Sequence, residues 1–270
     1  MTGQRITQVA PISAAMAGRR ADKLRSARDA LKAGRAALAL QPVMDARSGR
    51  PAFHEGLIRL ADGTGRLIPA AEFMPFVEAD PLGREVDRIA LRLGLAALCE
   101  APGLRLSVNL SALTIGDAGW LRVLDEGIAD DPTAAERLVV EITETAAIAL
   151  PAATRAFLGD LRARGVSLAL DDFGAGHTSL RYLREFAFDI LKIDGRFVRG
   201  LARSADDRVL TAAMVGVAQH FDMLTVAECV ETEDDAAACR DLGIDCLQGY
   251  LYGAPALPAA WRGAPVQAAG

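Results

Sequence analysis

Residues 166–180 read Val166-Ser167-Leu168-Ala169-Leu170-Asp171-Asp172-Phe173-Gly174-Ala175-Gly176-His177-Thr178-Ser179-Leu180, an apolar run that passes directly into two adjacent carboxylates. The run over 166–170 predicts a strand buried on both faces, and Gly174 and Gly176 predict a tight turn before a helix. Two ionised neighbours repel, so a chain that keeps them at a strand end needs a metal ion, a raised pKa or nearby cations. One such pair alone fits a structural salt bridge equally well. Most other strands of this chain end in the same way.

Working outward, strands are predicted over 36–45, 52–60, 104–110, 137–142, 166–170, 189–193, 224–228 and 246–251. Helices are predicted over 70–79, 82–100, 117–130, 151–164, 177–185, 206–221 and 233–242. The alternation implies parallel strands with helical crossovers. Eight strands in 270 residues fit an α/β barrel better than a doubly wound sheet, and no glycine-rich dinucleotide fingerprint follows the first strand. The Ser48-Gly49-Arg50-Pro51 turn makes the first two strands a hairpin. In the helix over 82–100, Leu82, Val86, Ile89, Leu93 and Leu98 form the expected packing face. Residues 1–20 lack acidic groups and are expected to be a disordered tail. A helix begins at Ala21 with Leu24, Ala27 and Leu31 on one side, one barrel domain occupies 21–260, and 261–270 is a C-terminal tail.

Composition narrows the function. A hydrophobic fraction of 51% supports a large core, and no apolar run reaches the roughly 18 residues of a membrane span. The net charge of −5 excludes a general nucleic-acid surface, though not a small phosphorylated ligand held through metal ions. Cys99, Cys229, Cys239 and Cys246 have no CxxC spacing and read as reduced thiols of a cytoplasmic protein. His54, His177 and His220 form no ligand pattern, so a metal site here would use oxygen and take magnesium or manganese.

The polar residues near the strand ends are Glu55, Asn109, Glu141 with Glu144, Asp171 with Asp172, Lys192 with Asp194, Glu228 with Glu231, and Gln248. In a barrel these ends converge on one mouth, where active sites are built. Carboxylates with one amide suit a hard cation. If two ions sit there, Asp171 is placed to bridge them with Asp172 turned to the second; ions about 3.5–4 Å apart can activate a water and stabilise a phosphoryl displacement. Lys192, among anions, stays protonated, which disfavours a Schiff-base aldolase, whose lysine must lose its proton. Enolase-type proton abstraction, with carboxylate-held magnesium and a Lys base, remains the closer competitor.

Seven segments then carry a resemblance: Glu55-Gly56-Leu57 with Arg59, Asn109-Leu110-Ser111, Glu141-Ile142-Thr143-Glu144, Asp171-Asp172-Phe173-Gly174, Lys192-Ile193-Asp194, Glu228-Cys229-Val230-Glu231 and Gln248-Gly249-Tyr250. In order and spacing the chain resembles the EAL-domain family of cyclic di-GMP phosphodiesterases. The resemblance implies a modified TIM (βα)8-type barrel with an antiparallel first strand, and hydrolysis of cyclic di-GMP to linear pGpG by a metal-bound water with two Mg2+ or Mn2+ ions. By the same analogy Glu55, Asn109, Glu141 and Asp171 hold one metal, and Asp171 and Asp172 the other. Lys192 with Glu228 positions or deprotonates the water, and Gln248 assists nearby. Gln41 and Arg59, with Asp194, contact the dinucleotide, Glu144 anchors the loop after Asp172, and the helix after residue 176 is the contact of a homodimer. Two departures stand out. Gly56 replaces the usual Ala, and the loop over 173–180 lacks the usual hydroxyls at positions 175 and 177. A non-catalytic cyclic di-GMP receptor or interaction scaffold is therefore the alternative function.

Overall fold

In the computed structural model, which describes residues 11–149, 151–175 and 182–258, the chain enters its sheet on a strand that runs against both neighbours. That strand, β1 (Ala36–Asp45), pairs antiparallel with β2 (Pro51–Ala61) and with the last strand. The hairpin expected from the Ser48–Pro51 turn is formed. A short β3 (Leu67–Pro69), not foreseen in the sequence, adds to the outer edge of β2. There follow α2 (Ala70–Val77), α3 (Leu82–Glu100), β4 (Leu106–Asn109), α4 (Ala118–Asp130), α5 (Ala134–Arg137), β5 (Leu138–Thr143), α6 (Glu144–Ala149), α7 (Pro151–Ala163) and β6 (Ser167–Phe173). The chain continues through β7 (Ile190–Ile193), α8 (Gly195–Val198), α9 (Ala205–His220), β8 (Leu224–Ala227), α10 (Glu233–Asp241) and β9 (Cys246–Gln248). Strands β2, β4, β5, β6, β7, β8 and β9 run parallel in that order, and the β1–β2 and β1–β9 ladders close the barrel.

Several expectations need correction. The first helix, α1, spans Pro11–Lys32, so residues 11–20 are helical rather than part of a disordered tail. Its Ala, Arg and Lys content favours a helix even over 15–22, where the side chains are exposed, a preference that a search for apolar periodicity overlooks. Of the helix predicted over 177–185, residues 177–181 and His177 with them lie outside the described residues, and Tyr182–Arg184 form a single 3-10 turn. On α3 the buried stripe is Leu82, Val86, Asp87, Ala90, Leu91, Leu95 and Leu98, while Ile89 and Leu93 lie on its flank.

Two layers of side chains fill the barrel. The lower is a separate apolar cluster of Val43, Phe53, Val139, Ala169, Ile190, Val226 and Cys246. Strand side chains alternate, so the next inward position lies two residues further on. From Phe53, Val139, Ala169, Ile190, Val226 and Cys246 that step reaches Glu55, Glu141, Asp171, Lys192, Glu228 and Gln248; on antiparallel β1 it runs backwards from Val43 to Gln41. The larger core, which includes Trp120, Leu106, Leu138 and Leu168, lies between the outer faces of the strands and the helices.

Candidate active site

Consecutive residues of a regular strand point to opposite faces, yet the carboxylates of Asp171 and Asp172 converge. The β6–β7 ladder shifts register between Leu170 and Phe173, and Asp172 takes a left-handed φ of 55°. The bulge turns Asp172 toward the mouth: Asp171, Asp172 and Glu228 each offer an oxygen, and the three lie within 4.8 Å of one another.

Lys192 stands at the centre, with 0% of its surface exposed. Its Nζ lies 2.7 Å from Glu141 Oε2, 2.9 Å from Glu228 Oε1, 3.1 Å from Asp171 Oδ1 and 3.3 Å from Glu55 Oε2. Burial alone would lower the lysine pKa, but the facing carboxylates of Asp171, Glu141, Glu228 and Glu55 hold it well above the usual value. One ammonium does not balance so many carboxylates. Burial and the charge of Glu55 push Glu141 up to about 8, and burial pushes Glu228 well above the carboxylate range. Burial would raise Glu55 too, but Lys192 and hydrogen bonds from Gln248 and Asn109 outweigh it and leave that group lowered. Asp172 is raised by burial, then by Asp171 and Asp194.

The amides complete the ring. Asn109 Nδ2 donates to Glu55 Oε1 at 2.8 Å, and Gln248 Nε2 donates to Glu55 Oε2 at 2.7 Å and to Gln41 Oε1 at 3.3 Å. Gln248 is held where the chain passes so close to the segment after β8 that a Cβ on Gly249 would lie 2.0 Å from Val230 O. Glu144 Oε2 accepts the N–H of Gly174 at 3.3 Å, where the loop after Asp172 begins. Two predicted residues stand apart. Arg59 donates to the carbonyls of Leu57 and Ile58 at 3.3 and 3.0 Å, and Asp194 caps α8 by accepting Arg196 N at 2.7 Å. Glu231 pairs with Arg199 rather than joining the ring.

The donor set fits a divalent cation. It is oxygen-only, and Glu141 Oε1 is buried without a hydrogen-bond partner among the described residues. Glu55, Asn109, Glu141, Asp171 and Asp172 could hold such ions, with Glu228 beside the two aspartates. Beside the ring opens a cavity of about 520 Å³, lined in part by Glu55, Asn109, Asp87, Ser111 and Glu78. The sequence reading missed Asp87, which was legible as an acid at the centre of an otherwise apolar helix face.

The family model of the EAL domain matches residues 24–255. Cyclic di-GMP phosphodiesterase PdeF of Escherichia coli K12 is 32% identical over 222 residues, 81% of this chain and 30% of the relative. Cyclic di-GMP phosphodiesterase PdeB of Shewanella oneidensis MR-1 is 35% identical over 207 residues, 74% of this chain and 24% of the relative. The chain thus spans about a quarter to a third of the length of curated relatives it matches. A solved PaMucR phosphodiesterase in complex with c-di-GMP superposes with a TM-score of 0.78 at 32% identity, covering 88% of this chain and 98% of the other. The Xanthomonas citri FimX EAL domain shares the fold with a TM-score of 0.82 at 23% identity, covering 91% and 97%.

Proposed function

The chain belongs to the EAL domain family, and from that premise we propose that it hydrolyses cyclic di-GMP to linear pGpG with two Mg2+ or Mn2+ ions as cofactors. The observation that carries this reading is the ring of oxygen donors around a buried lysine at the barrel mouth. Bound divalent cations would supply Lewis acidity toward water and phosphate. Glu55, Asn109, Glu141, Asp171 and Asp172 are the residues that would hold them. Glu228, ionised once bound cations offset the surrounding negative charge, takes the proton of the attacking water, while Lys192, 2.9 Å from Glu228 Oε1, holds that carboxylate in place and keeps its own proton to offset phosphate charge. Attack opposite the 3′ oxygen breaks its bond to phosphorus, and the departing oxygen takes a proton from solvent at the open mouth to become a free hydroxyl, while Glu228 returns the water's proton to solvent. Gln248 fixes Glu55 and Gln41, while Arg59 presents a guanidinium for the second phosphate and Asp194 a carboxylate for a base edge. Glu144 steadies the loop through Gly174.

Residues 21–260 are proposed as the catalytic unit, acting in the cytoplasm, in keeping with its unpaired cysteines. Among the described residues no helix is long and apolar enough to cross a membrane. A homodimer through the segment after residue 176 rests on the family resemblance alone, and a single monomeric species in sedimentation would remove it.

Substitution tests the site. Glu55→Ala and Asp171→Ala should each lower turnover at least about 100-fold, since each takes away a ligand and a lysine partner. Near-native turnover by either folded variant would overturn the metal assignment.

A further inference from the structure

Helix α3 grips the turn that follows Asn109. Three of its residues, one helical turn or less apart, reach the same segment. Arg84 Nε donates to Leu113 O at 2.7 Å, and Arg88 pairs with Asp117 through 2.9 and 2.7 Å contacts. Between them lies Asp87, 4% exposed. Its Oδ2 accepts from Ser111 N at 3.0 Å, Ser111 Oγ at 2.6 Å and Thr114 Oγ1 at 2.6 Å. Ser111 is the first residue after the β4–β5 ladder, whose last bonds align Asn109 with Glu141 and join Leu110 N to Glu141 O at 2.9 Å.

A carboxylate on this face is expensive. Its neighbours in the buried stripe are Val86, Ala90 and Leu91, and an apolar residue would pack there without desolvating a charge. Burial leaves the Asp87 pKa raised even against its three donors. Stability alone gives little reason to keep it. Its donors all belong to the turn that sets the direction in which Asn109 leaves the sheet, and Asn109 is already tied at 2.8 Å to Glu55.

We propose that Asp87 is a positioning residue for the metal site: by fixing Ser111 and Thr114 it holds the end of β4 so that the Asn109 amide faces the carboxylate ring. This rests on the reading of Asn109 as a ligand given above. Side chains that orient ligands from behind typically carry a 10- to 100-fold share of metal affinity, roughly the loss expected here.

The test is calorimetric titration of the purified chain with Mn2+ alone, without nucleotide, on wild type, Asp87→Ala, Asp87→Asn and Ser111→Ala, each checked for folding by circular dichroism. Asp87→Ala should weaken Mn2+ binding by about 10-fold or more. Asp87→Asn, whose amide oxygen still accepts from Ser111 and Thr114, should recover most of that affinity, and Ser111→Ala should fall between. A purely structural role predicts a lower Tm with unchanged Mn2+ affinity, and that result overturns the proposal. If Asp87→Ala does not fold, Ser111→Ala decides, and wild-type affinity in that variant counts against it. Wild type that takes up no Mn2+ overturns both this inference and the metal reading. Wild type that binds Mn2+ but leaves cyclic di-GMP intact overturns the hydrolytic reading alone, because the ranking of the variants stands without turnover.

Discussion

Cys229 takes a φ of 56° one residue after Glu228, a conformation that costs an ordinary L-residue roughly 1–2 kcal/mol. Its half-buried thiol returns part of that by packing against Gly195, where an added Cβ would lie 2.6 Å from Sγ. Cys229→Gly removes both, and the strain outweighs the lost contact, so Tm should rise by about 2 °C; a fall in thermal unfolding would show that packing wins. Glu141 gives a pH-dependent prediction. Its carboxyl keeps a proton up to about 8 in the folded chain, whereas the unfolded value is the ordinary 4.5. Between those limits the folded state binds more protons, so stability falls as pH rises through the window. In chelator, wild type should therefore lose stability toward pH 8 relative to Glu141→Gln, measured by urea unfolding across pH 5–8; parallel curves would contradict the assignment. Gly56 shows what spacing cannot reveal at this scale. It lies where a Cβ would come 3.1 Å from Ser107 O, in a tight passage between strands that depends on residues far off in sequence.

At the scale of elements, one arginine ties the base of the barrel together. Arg137 Nη1 donates to the carbonyls of Leu98, Ala101 and Leu104 at 2.8, 3.2 and 3.2 Å, and Nη2 meets Asp131 Oδ2 at 2.5 Å. It satisfies the C-terminal end of α3 and joins it to the start of β5. Arg137→Ala should destabilise by about 3 kcal/mol in denaturant unfolding, and Arg137→Lys should recover less than half, because an ammonium cannot reproduce the planar fork. A loss within experimental error would mean that water replaces the clamp. Sequence placed α3 well but not the rotation of its face, since Ile89 and Leu93 lie within reach of the apolar stripe and only packing against β4 and α4 selects Ala90, Leu91 and Leu95 instead. Short elements such as α6, α8 and β3 carry too few residues to show a period, and none was foreseen.

Across the whole molecule most of the parallel strands gave a strong signal, because β4, β5, β7 and β9 are short apolar runs buried on both faces with polar residues at or near their ends. The antiparallel start was legible as a hairpin and closure followed from the barrel reading; the closing register was not, since the pairing of Val43 with Gln248 joins opposite ends of the chain. That closure brings Gln41 into the ring beside Gln248. The site was readable as a set of strand ends. Lys192 was legible among anions, but its contact with four carboxylates at once was not, because they come from four different strands or strand ends, and the Asp172 bulge that turns two neighbours the same way leaves no mark on spacing. What the assembled mouth does is tested most directly by chromatography of the purified chain incubated with cyclic di-GMP in Mg2+, Mn2+, Ca2+ or chelator. Linear pGpG should accumulate with Mg2+ or Mn2+ and be absent with Ca2+ or chelator. Cyclic di-GMP bound yet recovered intact under every condition would contradict hydrolysis and make the chain a receptor.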